Sequence, residues 1–331
     1  MKRTNLIIYM LVAALLVAGC TVNNEPSADP AASDEPEITT GSDMTEDPET
    51  TAESDTNTAS DTNAETDTPA PSPEKYDLAD VAELSDIMYE CTYAGEKHKF
   101  LVYLPENKTD DMPLIIMLHG YGSSPESFHS QTLMDKDACE KGYVVIYAGS
   151  AAAGWNGGMG DYERDDVGYL EAIARYAAEE FGCSSENVFA AGFSNGGIMI
   201  QRLASYSDVF KAVACVAGMM SKAVWENKKE TADISILDIY GTKDEILTSP
   251  LFAPIEDVMQ YWIDANRLTE TEEVSLSDRS TLTKATSPSV SNEVWTVVID
   301  KGGHSWPEEQ LHGFNANPLI LEFFESCKNK G

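Results

Sequence analysis

Ala191-Gly192-Phe193-Ser194-Asn195-Gly196-Gly197 carries the pattern G-x-S-x-G between two apolar segments. Upstream, Asn187-Val188-Phe189-Ala190-Ala191 reads as a short buried strand. Downstream, Ile198 to Ala204 reads as a helix. A strand that turns at once into a helix strains the residue at the turn and admits only small neighbours. Gly192 and Gly196 meet that demand on either side of Ser194. The Ser194 hydroxyl would then stand clear of a sheet, over a helix N-terminus. The backbone N–H of Asn195 would point to the same spot. A serine so placed is a candidate nucleophile. The plain alternative is a glycine-rich turn that merely starts a helix.

Around this stretch, apolar runs alternate with helical patterns, which predicts an α/β fold with a mostly parallel sheet. Lys99–Leu104, Pro113–Leu118, Tyr143–Ala148, the run around Val213, Ile234–Tyr240 and Glu293–Ile299 read as strands. Asp165–Phe181, with Gly182 just past its end, Ile255–Leu268 and Leu319–Cys327 read as helices. Residues 269–292 are β-rich and polar, in the manner of a hairpin. No insertion is long enough for a large cap domain, so the site should be open.

A nucleophilic serine needs a base to take its proton and a carboxylate to orient that base. On this kind of fold the order along the chain is Ser, acid, His. Ser194, Asp244 and His304 satisfy it, each just beyond the C-terminal end of an expected strand, where open parallel sheets build their sites. Asp238 and Asp300 are rivals for the acid. Both lie in or at the end of a strand, where they should face solvent or a local donor. His98, His119, His129 and His312 are rivals for the base, but only His304 follows a strand, comes after the acid and lies in a Gly-Gly turn. His119-Gly120-Tyr121-Gly122 follows the Pro113–Leu118 strand. The Tyr121 N–H is the expected second oxyanion donor, with His119 structural. Trp155 and Trp306 fall in loops on the same side. An exposed indole there could bind substrate by stacking; alternatively both pack the loops onto the sheet. Asp165 and Asp166 read as a helix N-cap region.

These motifs together resemble the polyhydroxybutyrate depolymerase / feruloyl esterase family, secreted α/β-hydrolases that include acetyl xylan esterases. The resemblance rests on His119-Gly120-Tyr121, Trp155-Asn156-Gly157-Gly158, Asp165 to Leu170, Gly192 to Gly197, Gly241-Thr242-Lys243-Asp244 and Gly303-His304-Ser305-Trp306-Pro307, and spans roughly residues 90–327. It implies an α/β-hydrolase with Ser194 as nucleophile, Asp244 as acid and His304 as base. It further implies action on feruloyl or acetyl esters of plant polysaccharide, with short polyhydroxyalkanoate chains as the alternative polymer. Two positions depart from the family pattern. Met159-Gly160 stand where a cysteine pair is common, and Tyr240 stands where a histidine often precedes Gly-Thr. A peptidase on the same fold and a non-catalytic binding lipoprotein remain open as other readings. No cofactor is implied, and no Cys/His spacing marks a metal site.

The 331-residue chain has a formal net charge of −34. Fifteen of its acids and no Lys or Arg fall in residues 21–74, so most of the imbalance stays with the rest of the chain. Such a surface excludes nucleic acid as a partner, since phosphate contacts need Lys and Arg. Residues 1–20 read as an export signal: Lys2 and Arg3 precede an apolar Leu6–Val17, which ends in Leu16-Val17-Ala18-Gly19-Cys20. That ending resembles a bacterial lipobox and makes Cys20 a lipid attachment site, anchoring the exported protein to a membrane. Residues 21–75, rich in Thr, Ser, Pro, Asp and Glu, read as a disordered tether, leaving 76–331 as the catalytic domain. Cys91, Cys139, Cys183, Cys215 and Cys327 are an odd set, so at least one thiol is unpaired within the chain.

Overall fold

The computed structural model describes residues 77–160 and 163–328. The expected signal segment, Cys20 and the tether lie outside them. The elements run β1 (Ala79–Glu83), β2 (Met88–Tyr93), β3 (Glu96–Tyr103), β4 (Met112–Leu118), α1 (Pro125–Thr132), α2 (Met134–Glu140), β5 (Val144–Ala148) and α3 (Asp166–Phe181). Then come β6 (Cys183–Phe193), α4 (Asn195–Tyr206), β7 (Ala212–Val216), α5 (Lys222–Glu226), β8 (Ser235–Gly241), α6 (Ile255–Ala265), β9 (Glu270–Ser277), β10 (Ser280–Thr286), β11 (Val294–Ile299), α7 (Glu309–His312) and α8 (Ala316–Cys327).

All eleven strands form one sheet in the order β1-β2-β3-β5-β4-β6-β7-β8-β11-β10-β9. The six strands from β5 to β11 in that order pair in parallel. Antiparallel strands flank them on both sides: β1 to β3 on one, β10 and β9 on the other. The expected parallel sheet is therefore the middle of a wider mixed one, and residues 269–292 do form a hairpin.

The central strands are buried on both faces, which is why they read as unbroken apolar runs. Leu114, Ile116 and Leu118 of β4 join a core covered by α3, α4 and α6. Ile115 and Met117 of the same strand face the opposite core, under α1, α2 and α8. The alternation is the period-2 pleat, and it gives three layers: helix, sheet, helix.

Sequence pattern and structure agree most closely where capping chemistry is explicit. Asp165 accepts a hydrogen bond from the Gly168 N–H at the start of α3, and Gly182 ends that helix with a left-handed backbone, φ 71°. The α6 helix ends at Ala265, three residues before its apolar pattern does, at the C-cap Asn266. Among the described residues no cap domain covers the C-terminal edge of the parallel strands.

Candidate active site

Ser194 ends β6 and begins α4 with φ 56° and ψ −117°, a left-sided backbone that costs a non-glycine residue about 1–3 kcal/mol. The neighbours hold it there. The Ser194 N–H donates to Val216 O of β7 over 2.9 Å, and the Ile198 N–H donates to Ser194 O over 2.9 Å. A side chain at Gly196 would run into the Leu118 carbonyl, and one at Gly192 would lie 2.5 Å from Gly196 O. Gly196 lets the elbow pack against β4, and Gly192 lets α4 start directly over β6.

His304 Nε2 lies 2.8 Å from Ser194 Oγ, and Nδ1 lies 2.8 Å from Asp244 Oδ2. Because Nδ1 faces a carboxylate, it carries the hydrogen, and Nε2 is left to accept from the serine hydroxyl. Ser194 and Asp244 are buried, while the imidazole is partly exposed. Asp244 has a second bond: its Oδ1 accepts from the Ile246 N–H at 3.1 Å. The loops that carry the acid and the base are joined directly. Lys243 N donates to Gly302 O at 2.8 Å, and Lys301 N donates to Thr242 Oγ1 at 2.9 Å. Residues 194, 244 and 304 thus meet at one edge of the sheet, as their order and strand positions led us to expect.

The backbone N–H groups of Tyr121 and Asn195 make no hydrogen bond among the described residues. The His119-Gly120 turn packs on the elbow, with a methyl at Gly120 placed 3.5 Å from Ser194 Cβ. His119 is buried and structural. The Ser150 N–H donates to its Nε2 at 3.2 Å, so its Nδ1 carries the hydrogen and donates to Gly120 O at 2.8 Å. Gly120 O and Tyr121 N–H belong to the same trans peptide and point in opposite directions. Fixing the carbonyl therefore fixes the N–H. Burial lowers the His119 pKa and keeps the ring neutral in this role.

Trp155 and Trp306 correct the substrate-stacking reading. Trp155 is 0% exposed, and its indole N–H donates to His119 O at 2.9 Å. Trp306 is 5% exposed; its N–H donates to Asn317 Oδ1 at 3.1 Å, and its ring packs edge-on against Phe128 and Phe193. Each indole N–H finds a partner inside the protein, which frees the ring to be buried. Neither face is open to a ligand.

The rival residues are accounted for. Asp238 is fully buried and accepts from Gln201 Nε2 at 2.7 Å. Asp300 is exposed beside Lys301. His98 is buried against the Tyr169 ring, 3.7 Å between centroids. His129 pairs with Asp135, and the Glu308 N–H donates to His312 Nδ1. Asp166, buried, accepts from the Asn156 N–H at 2.6 Å and lies 3.6 Å from Arg164. All five described cysteines are unbridged. A role that the residue pattern did not reveal belongs to the Asn195 side chain, which grips Trp155 across forty residues of sequence: Oδ1 accepts from Trp155 N at 2.6 Å and Nδ2 donates to Trp155 O at 3.3 Å.

Known proteins share both sequence and fold with this chain. The BD-FAE family profile matches residues 101–291. The provisionally named esterase NocK of Nocardia uniformis subsp. tsuyamanensis is 26% identical over 265 residues, 69% of this chain and 76% of NocK. Feruloyl esterase B of Thermothelomyces thermophilus is 30% identical over 125 residues, 36% of this chain and 43% of that enzyme. Acetyl xylan esterase from Aspergillus awamori superposes with a TM-score of 0.57 at 14% identity, covering 72% of this chain and 99% of the other, a likeness of fold. With the G-x-S-x-G elbow at its centre, the chain belongs to the BD-FAE family and is an α/β-hydrolase that cleaves carboxylic esters.

Proposed function

We propose that ester cleavage proceeds through an acyl-enzyme on Ser194. The single observation that carries this is the unbroken relay Ser194–His304–Asp244, with both contacts at 2.8 Å. Ser194 Oγ attacks the ester carbonyl while His304 Nε2 takes its proton. Asp244 holds the imidazole in the required tautomer and stabilises its charged form. Charge that develops on the carbonyl oxygen is met by the Tyr121 and Asn195 N–H groups. His304 then returns the proton to the leaving alkoxide, and a water activated by the same imidazole releases the acid.

The substrates we infer are feruloyl or acetyl esters on plant polysaccharide. Support comes from relatives named feruloyl esterase and acetylxylan esterase and from the acidic composition, which suits uncharged substrates. A fluorophosphonate probe should label Ser194 in the folded protein, and purified enzyme should turn over methyl ferulate or p-nitrophenyl acetate. Cleavage of a peptide anilide alone would assign a peptidase. Cleavage of 3-hydroxybutyrate oligomers alone would assign a polyester depolymerase. Absence of labelling would overturn the acyl-enzyme on Ser194, and absence of any turnover as well would favour a binding protein.

We also propose export and lipid anchoring through Cys20, on the strength of the basic, apolar and Leu-Val-Ala-Gly-Cys segments. Cells fed labelled palmitate should yield labelled protein, and Cys20→Ala should lose the label. Equal labelling of that variant would overturn the anchor.

A further inference from the structure

We propose that Trp155 is a positioning residue for the oxyanion hole, tying its two donors into one rigid unit. This rests on the reading of Ser194 as nucleophile, with Tyr121 and Asn195 supplying N–H groups. Those donors come from separate elements: Tyr121 follows β4, and Asn195 opens α4. For both to reach one oxygen, their spacing must be held to within about half an ångström. The strap that follows β5, Gly149 to Gly158, makes contact with each.

On the Tyr121 side, the Trp155 indole N–H donates to His119 O, and the Gly122 N–H donates to Ala153 O at 2.6 Å. On the Asn195 side, the side-chain amide makes its two-point contact with the Trp155 backbone. Among the described residues of the strap, Trp155 bonds to both sides: by its side chain to the His119 turn and by its backbone to Asn195. The strap is wedged between them, since a methyl on Gly154 would lie 2.7 Å from Asn195 Oδ1 and 2.7 Å from Tyr121 Cδ2. Behind it, Arg202 Nη1 donates to Asn156 O at 2.8 Å and Asp166 holds the Asn156 N–H, so the strap is fastened from outside as well. The indole ring is buried beside His119 and Tyr169, so it acts only through these bonds.

Trp155→Phe keeps the aromatic filling and deletes the N–H. Removing an oxyanion donor outright costs about 10²–10³ in kcat; loosening one should cost about ten- to fiftyfold. The loss should fall on kcat, with KM within about twofold, because ground-state ester binding does not use the donors fully. Affinity for a boronic acid, which forms a tetrahedral anion on Ser194, should fall in parallel with kcat/KM. Asn195→Ala, which keeps the backbone N–H, should do the same. The double variant should be no worse than about the poorer single one, since both act through the strap.

Fluorophosphonate labelling of wild-type Ser194 separates the two levels of inference. No labelling overturns the nucleophile. Intact labelling with kcat unchanged in Trp155→Phe overturns the positioning role alone, as does a loss confined to KM. Should Trp155→Phe fail to fold, Asn195→Ala decides: unchanged kcat and boronate affinity there overturn the proposal.

Discussion

Gln201 Nε2 donates to Asp238 Oδ2 over 2.7 Å in the seam between α4 and the sheet, behind the elbow. Burial pushes the Asp238 carboxyl up to about 8, against the Gln201 hydrogen bond that pulls it down. The Gln201 carbonyl in turn accepts from the Trp262 indole at 3.0 Å. Between the usual carboxylate range and about pH 8, the unfolded chain has released this proton and the folded chain keeps it. The folded state then binds more protons, so stability falls as pH rises through that window and levels off above it. Asp238→Asn should remove a slope of roughly 1.4 kcal/mol per pH unit. Urea unfolding from pH 5 to 8 measures it, and equal slopes in variant and wild type would refute the assignment.

Ser194→Ala should abolish turnover and probe labelling together. Asp244→Asn should fold normally, because its amide oxygen can still accept from Ile246 N, while its NH₂ group forces His304 into the wrong tautomer. A fall in kcat of about 10³–10⁴ is expected, read from steady-state ester hydrolysis with the circular dichroism unchanged. A loss below tenfold would move the acid role elsewhere.

Gly196→Ala drives a methyl into the Leu118 carbonyl. The elbow and β4 must then separate, at a cost of about 1–3 kcal/mol for overpacking. A lower melting temperature should accompany slower fluorophosphonate labelling, because the same displacement moves the Tyr121 donor.

Trp306→Ala should behave as a core deletion, costing about 3–5 kcal/mol. Trp306→Phe should be milder, losing chiefly the bond to Asn317. With neither indole face open to ligand, KM for small aryl esters should stay near wild type in the Phe variant. A large rise in KM without loss of stability would restore a substrate contact.

Burial pushes Cys91, Cys139 and Cys183 each up to about 12, so thiolate is scarce at neutral pH. Thiol titration of folded protein at pH 8 should be slow and should complete on denaturation. Dithiothreitol should leave the melting temperature unchanged, and a shift of several degrees would reveal a bridge.

The triad was legible because each member follows an apolar run whose C-terminal end reaches the same edge of the sheet. Asp238, Asp244 and Asp300 all lie between Ser194 and His304 in the chain, so position decided among them: Asp244 falls just beyond a strand, Asp238 within one and Asp300 at the end of one. Strands β1 and β2 gave little warning: Ala79–Glu83 is short and mostly exposed, and it pairs only at the sheet margin. The tryptophans were ambiguous for a different reason. Loop position says which edge a residue is near; it does not say whether folding turns the ring inward. That depends on partners far along the chain, His119 and Asn195 for Trp155 and Asn317 for Trp306, which no local pattern announces.

Asn317 sits in α8, accepting from Trp306 and donating to Thr132 O at 2.7 Å. The turn bearing His304 is thus pinned by a helix that follows it in the chain. The contact between the residue 304 imidazole and the residue 194 hydroxyl therefore depends on a helix at the far end of the chain.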